Sequence, residues 1–239
     1  MAIIYDTTMS PGKLELLAAW LPAQPWYLGT AHEPELAKAG GFRLDDPHGE
    51  VGIEFMVVTD RSGGRATTYQ VPLTYRAGAL ASAAGGLIGT AEHGVLGHRW
   101  IYDGAHDPVL VAQLVAAIQG ESEPQDQNIS NTPDATVSCQ PVTDGSLRAT
   151  GSVVAANTPS GTDLRIETVP ASDQLTIRIN RILWPADGVA SPAGQAGLSA
   201  HWRRPDGTQA RSVLAAAQYT HVRRTPAEGL SDDRAAELR

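Results

Sequence analysis

Apolar positions near the start of the chain recur at helical spacing. Leu14, Leu17 and Leu21 fall at i, i+3 and i+7, one buried stripe of a helix. Ser10 is a capping residue and Pro11 suits the first helical position, so the helix is predicted to begin at Ser10 and to end at Pro22. The pattern then changes to period two. Phe42 begins a strand over 42–45, residues 46–49 turn the chain, and 50–60 return, the signature of a hairpin. In the returning strand Val51, Ile53, Phe55 and Val57 share one face, and Glu54, Met56 and Val58 the other. Over 67–76, Tyr69, Val71, Leu73 and Tyr75 alternate with Gln70, Pro72, Thr74 and Arg76, which predicts a sheet with one wet face. Pro72 has no N–H to give a ladder, so this strand should be an edge or pair on one side there. Residues 77–90 are rich in Ala and Gly, carry no bulky apolar run and suggest no element. A strand is predicted over 96–102. A second helix comes next, with Asp107 as cap, Pro108 at its first position, Leu110, Leu114 and Ile118 on one stripe beside Val111 and Val115, and Gly120 as its stop.

Residues 121–134 are polar, with Ile129 the only large apolar side chain, and are expected to be a linker. Short strands are then expected over 135–142, 147–156, 164–170, 175–183, 197–204 and 208–216. Turn chemistry separates several of them at 143–145, 171–173 and 205–207. The expected fold class is α+β: an antiparallel β-sheet with flanking helices over 1–120, the 121–134 linker, and a small antiparallel β sandwich or barrel-like module over 135–220. Residues 221–239 are expected to be a polar, mobile tail.

Composition narrows the classes of function. The chain has 239 residues, 18 Lys plus Arg against 26 Asp plus Glu, and a formal net charge of −8. That balance argues against a nucleic-acid partner, because phosphate binding needs clustered cations. No run approaches the ~18 apolar residues of a membrane span, and the first ten residues lack the basic start of a leader. The expectation is therefore a cytoplasmic protein with no membrane partner. A single cysteine, Cys139, excludes an intrachain disulfide and a multi-cysteine zinc site. In a strand with apolar neighbours and no nearby histidine, it is expected to be an inert thiol.

Catalytic motifs are sparse. Gly12-Lys13 runs into Leu14 and Lys38 lacks a glycine turn, so neither makes a phosphate-cradling loop. Gly197-Leu198-Ser199-Ala200-His201 lacks the final glycine of a nucleophile elbow and lies in a predicted strand. One dense polar constellation remains: Glu92, His93, His98, Arg99, Asp103, His106 and Asp107. Its spacing fits no known ligand set, and Asp107 already has a capping role. Glu92, His93, Asp103, His106 and Asp107 are expected to form a structural turn network, with no metal and no cofactor. Trp20, Trp26, Tyr27, Trp100 and Tyr102 form an aromatic group that could stack on sugar rings or cover a small sheet. A cryptic metal-dependent enzyme or hydrolase would have to use His93, His106 and Asp103.

The stretch Trp20-Leu21-Pro22-Ala23-Gln24-Pro25-Trp26-Tyr27-Leu28-Gly29 resembles the signature of the N-terminal cap domain of bacterial maltokinases. Tyr69-Gln70-Val71-Pro72-Leu73 resembles the cap's central sheet. Leu87-Ile88-Gly89-Thr90 through His93, and Trp100-Ile101-Tyr102-Asp103, resemble its closing part. The likeness covers residues 1–120. Pro25 stands where the signature has an arginine that could hold the cap to a neighbouring lobe. In the family the cap precedes a nucleotide-binding lobe and a catalytic lobe, whereas the residues after 120 here predict short strands. The chain is thus similar to stand-alone cap-like proteins, some labelled 1,4-α-glucan branching proteins. Glycosyl transfer needs two juxtaposed carboxylates, commonly on a ~250-residue barrel, which a chain of this length is not expected to hold beside a cap. The resemblance implies a non-catalytic partner or regulator in trehalose, maltose, glycogen and other α-glucan metabolism. Its protein partner would be a sugar kinase or an α-glucan enzyme. A sugar-binding module is the alternative. Trp20, Gln24, Trp26, Tyr27, Arg99 and Trp100 are the candidate ligand or partner surface.

Overall fold

The computed structural model describes residues 7–29, 33–141, 148–169, 173–186 and 196–221. The N-terminal elements are β1 (Met9–Ser10), α1 (Lys13–Trp20), β2 (Leu36–Leu44), β3 (Gly52–Asp60), β4 (Thr67–Arg76), β5 (Leu87–His93), β6 (Gly97–Asp103) and α2 (Pro108–Gln119). After them come β7 (Val137–Gln140), β8 (Arg148–Thr158), β9 (Gly161–Val169), β10 (Asp173–Ile179), β11 (Ile182–Leu183), β12 (Ala196–Arg203) and β13 (Gln209–His221). The chain is mostly antiparallel sheet with a few short helices.

Helix α1 starts later than its capping signal suggests. Ser10 belongs to the β1–β5 ladder, where it pairs with Glu92, two residues ahead of the position that caps α1. Gly12 takes the cap position, and its N–H donates to Glu15 Oε2 at 2.7 Å. Helix α2 matches both of its end signals. The Asp107 carboxylate accepts the Val109 N–H at 2.9 Å, and Gly120 closes the helix at φ 78°, a left-handed conformation that suits glycine. Strand β5 begins inside the Ala/Gly-rich stretch that suggests no element and runs past its end. Its small residues let α1 approach: a Cβ on Gly89 would sit 2.8 Å from Leu16 Cδ2.

Among the described residues the strands join into one 13-stranded sheet, ordered β1-β5-β6-β4-β3-β2-β12-β13-β10-β9-β8, with β11 on β4 and β7 on β12. Strand β2 meets β12 through Trp202 and Gly40, so the C-terminal strands continue the N-terminal sheet. The 121–134 segment lies along β2, where Arg43 and Gln125 exchange both backbone hydrogen bonds at 2.9 Å. One apolar core gathers Phe42, Ile53, Phe55 and Val57 with Leu110, Leu114 and Ile118 of α2 and with Leu164, Ile177, Leu198 and Leu214. The Phe42 and Phe55 rings stack there at 4.6 Å. A second core, on the opposite face of β3 and β4, packs Leu17, Leu21 and Trp26 on Met56, Val58, Tyr69, Val71, Leu73 and Ile101.

The first core corrects the expectation of a wet face on β4. Gln70 and Thr74 are fully buried, because α2 and the C-terminal strands cover the face that alternation alone leaves to solvent. Pro72 faces a gap. Strand β11 pairs with β4 at Tyr69 and Thr68, and β6 pairs from Leu73 onward. Gln70 N–H points to that side, donating to Arg181 O at 2.9 Å. With period two, Pro72 points the same way, between the two partner strands. Strand β13 takes in His221, the first residue of the expected tail; the rest of that tail, the turn expected at 143–145, and residues 171 and 172 of the next turn lie outside the described residues.

Candidate functional site

Helix α1 hands the chain to a short 3-10 turn, Leu21–Ala23, opened by Pro22. Gln24 Nε2 donates back to Trp20 O at 3.3 Å, and the Tyr27 N–H donates to Gln24 O at 3.0 Å. This tight path drives Trp26 inward. Its ring centroid lies 5.7 Å from that of Trp20 and 5.9 Å from that of Tyr69. Trp26 has 0% exposure, so its faces are occupied by the protein. Tyr27 OH donates to Asp60 Oδ2 at 2.7 Å. Burial and then the Asp60 carboxylate push that phenol well above its ordinary value. Tyr69 OH accepts the Leu28 N–H at 3.0 Å. Pro25 is exposed at the edge of this group.

The polar centre of the region lies beneath Trp26. Arg181 Nη2 donates to Asp103 Oδ1 at 2.8 Å and Oδ2 at 2.6 Å, and Arg181 Nε donates to Thr162 Oγ1 at 2.8 Å. Both charged side chains are fully buried. Asp103 also accepts the Ala105 N–H at 3.2 Å. The guanidinium carbon lies 5.0 Å from the Trp26 ring centroid, within cation–π range. Arg181 Nη1 and Trp26 Nε1 have no hydrogen-bond partner. A buried pair of this kind adds little net stability, yet losing one member strands the other charge, at about 3–5 kcal/mol. The Asp103–Arg181 contact therefore couples the end of β6 to the segment entering β11.

The turn residues separate into two groups at opposite ends of β6. At one end Glu92 pairs with His98, His98 packs edge-on to Trp100 at 4.4 Å, and His93 Nδ1 accepts the N–H groups of Val95 and Leu96. At the other end Asp103 holds Arg181. There Asp107 caps α2 and accepts Arg76 Nε and Nη2 at 2.6 and 2.7 Å. His106 occupies the short turn between them, where a Cβ on Gly86 would meet its side chain at 2.8 Å. Seven residues of strand, roughly 20 Å, lie between the groups. Among the described residues no three His, Cys, Asp or Glu side chains are grouped to hold a metal ion. Arg99 pairs with Ala91 and Trp100 with Thr90, so Arg99 and Trp100 project from opposite faces of β6. Trp20, Gln24, Trp26 and Tyr27 come together. Trp100 does not join them.

A second polar group lies under α1. Glu54, 5% exposed on β3, accepts Lys13 Nζ at 2.5 Å, Tyr75 OH at 2.7 Å and Gln127 Nε2 at 3.2 Å. Burial pushes the Glu54 carboxyl up, but Lys13 and the Tyr75 hydroxyl outweigh it and hold it below its ordinary range. The adjoining crevice between α1 and the sheet, lined by Met9, Leu16, Tyr75 and Ile88 among others, has no room for a water molecule. Sequence patterning does not single out Arg181 or Glu54. Glu54 is a charged residue inside the apolar strand run Ile53 to Val58, and Arg181 lies between the strands that end at Ile179 and begin at Ile182. Cys139 is half-buried on β7, and burial pushes its thiol up, which keeps it protonated and unreactive.

No helix among the described residues is long and apolar enough to cross a membrane. Residues 20–107 match the maltokinase N-terminal cap domain. The matched stretch runs from Trp20, through the aromatic group and strands β2 to β6, to the cap of α2. No curated protein matches the chain.

Proposed function

We propose that this chain, whose residues 20–107 match the maltokinase N-terminal cap domain, is a non-catalytic partner or regulator in cytoplasmic trehalose, maltose and α-glucan metabolism. The observation that supports this reading is the use to which the chain beyond the cap is put. Strands β12, β13, β10 and β9 continue the cap's own sheet and fill its core, and Arg181 reaches back to the cap's Asp103. The described strands after residue 135 thus serve to complete the sheet, and the described side chains present no acid–base pair or phosphate cradle of their own. The proposed partner surface is the α1 side, with Trp20, Gln24 and Tyr27 around the buried Trp26, and Arg99 on the same side of the sheet. The proposed partner is a sugar kinase or another α-glucan enzyme.

Pull-down and thermal-shift measurements against maltokinase, maltosyltransferase and branching enzyme test this reading. Saturable binding to one of them, weakened by Gln24→Ala, is the expected result. A well-folded sample that binds none, or that turns over ATP with a disaccharide and loses that turnover on mutation of its own residues, overturns it. A sugar-binding module is a second reading. It rests on Trp20 and Trp100, which keep partial exposure. Tryptophan fluorescence titration with maltose, trehalose and glucosamine separates the two readings, with a flat curve expected for the partner role.

A further inference from the structure

The β5–β6 hairpin carries a histidine whose chemistry the proposed role does not use. His93 ends β5, and its Nδ1 accepts two backbone N–H groups, from Val95 at 3.3 Å and from Leu96 at 3.1 Å. Both bonds require a lone pair on Nδ1, so they exist only with a neutral ring protonated at Nε2. The next residues complete the turn. The Gly94 N–H donates to Thr8 O at 3.0 Å, and Gly97 takes φ +68°, which glycine adopts without strain. Held this way, the tip presents Val95 and Leu96 side by side, 58% and 42% exposed.

The charges around the ring bias it toward the neutral form. Arg99 pairs with Ala91 across the ladder, so it shares the face of β5 that carries His93. Lys13 approaches the same face from α1. Burial first, then Arg99, then Lys13 lower the ring's affinity for a proton. Among the described residues, Glu92 and His98 pair with each other on the opposite face of the ladder, and β1 brings Met9 and Ser10 alongside.

We propose that His93 is a pH-operated latch on the hairpin tip: its neutral imidazole locks Val95 and Leu96 in place, and protonation at Nδ1 releases them. The proton arrives from solvent, both Nδ1 acceptor bonds break, and the two freed backbone N–H groups turn to water. The sign comes from the lowered affinity. The latch is fully closed above the ring's ordinary value near 6.5 and is lost as pH falls through the lower, folded-state value. The inference is independent of the partner role, since it concerns only the local state of the tip.

Amide hydrogen exchange of Val95 and Leu96, corrected for the intrinsic pH dependence of exchange, tests it on the full chain between pH 7.5 and 5. Protection at these two amides should fall about tenfold for each pH unit below the His93 midpoint, while amides of β3 and β4 stay protected. His93→Asn keeps an acceptor at the Nδ1 position and removes the titration, so its tip should stay protected across the range. Melting curves at both pH values distinguish local release from global unfolding. Protection of Val95 and Leu96 that does not change with pH, or an Asn variant that loses it just as the parent does, overturns the latch.

Discussion

The two faces of the central strands β3 and β4 are covered by different means. On one face α1 and the Trp20–Tyr27 turn supply the cover, all from within the first thirty residues. On the other face the cover is α2 together with strands drawn from beyond residue 160. The first face is closed by aromatic rings, with Glu54 under Lys13, Asp60 under Tyr27 and the buried Asp103–Arg181 pair beneath Trp26. The second mixes aliphatic side chains with the stacked Phe42 and Phe55 and with Trp202, and part of its closure depends on chain far away in sequence. The contrast teaches that the matched stretch does not cover its own sheet on both sides: β3 and β4 have one face covered by α1 and the turn after it, and the other by α2 and the C-terminal strands. Arg181 ties the two arrangements together, since it comes from the distal half and packs on Trp26 of the local cover.

Removing that tie should have the largest effect. Arg181→Met leaves the Asp103 carboxylate buried and unpaired and should cost about 3–5 kcal/mol. Denaturation monitored separately by fluorescence and by backbone circular dichroism should show one coincident transition. Two separated transitions would mean that the halves fold independently, and the comparison would fail. Next, Leu114→Ala on the distal side and Leu17→Ala on the local side should each cost about 2–5 kcal/mol by cavity formation. In urea titrations monitored by exchange at β9 and β10, only Leu114→Ala is expected to loosen those strands below the global transition. Asp107→Ala removes the α2 cap and the Arg76 partner, and a loss of about 1–2 kcal/mol is expected. A melting temperature equal to the parent's would show that α2 needs no cap once packed. The smallest effect concerns acid. The Glu54 carboxyl, held below its ordinary value of 4.5 by Lys13 against the pull of burial, contributes stability that is complete above that value and fades as pH falls through the folded-state value. Lys13→Met should flatten this part of the pH–stability curve. An unchanged curve would remove Lys13 as its cause.

The legibility of these features depends on the distance over which each one is determined. Helix α2 is readable to the residue at both ends, because Asp107, Pro108 and Gly120 act on their immediate neighbours. The alternation in β3 and β4 is readable for the same reason. Strand β5 is not, since Gly89, Thr90 and Ala91 carry no strand pattern and owe their place to β6 and to the close approach of α1. Gln70 and Thr74 read as solvent-facing because part of what covers them comes from more than a hundred residues onward, as at Leu214, whose carbonyl accepts from Gln70 Nε2. In the candidate site, the Trp26 cluster is legible as a group of aromatics, but its burial is not. Asp103 is legible as a turn residue because it accepts the Ala105 N–H. Its ion pair lies 78 positions away, and no local rule points to it.

Pro72 carries a consequence for how the sheet is assembled. One side of β4 is shared by two strands arriving from opposite directions along the chain, β6 soon after it and β11 more than a hundred residues later. A strand lengthening by one residue at this border would meet a ring where it needs a proton donor. The imino acid therefore acts as a boundary stone: it keeps the earlier arrival from spreading over the berth reserved for the later one, and so preserves a place for Arg181 beside Asp103.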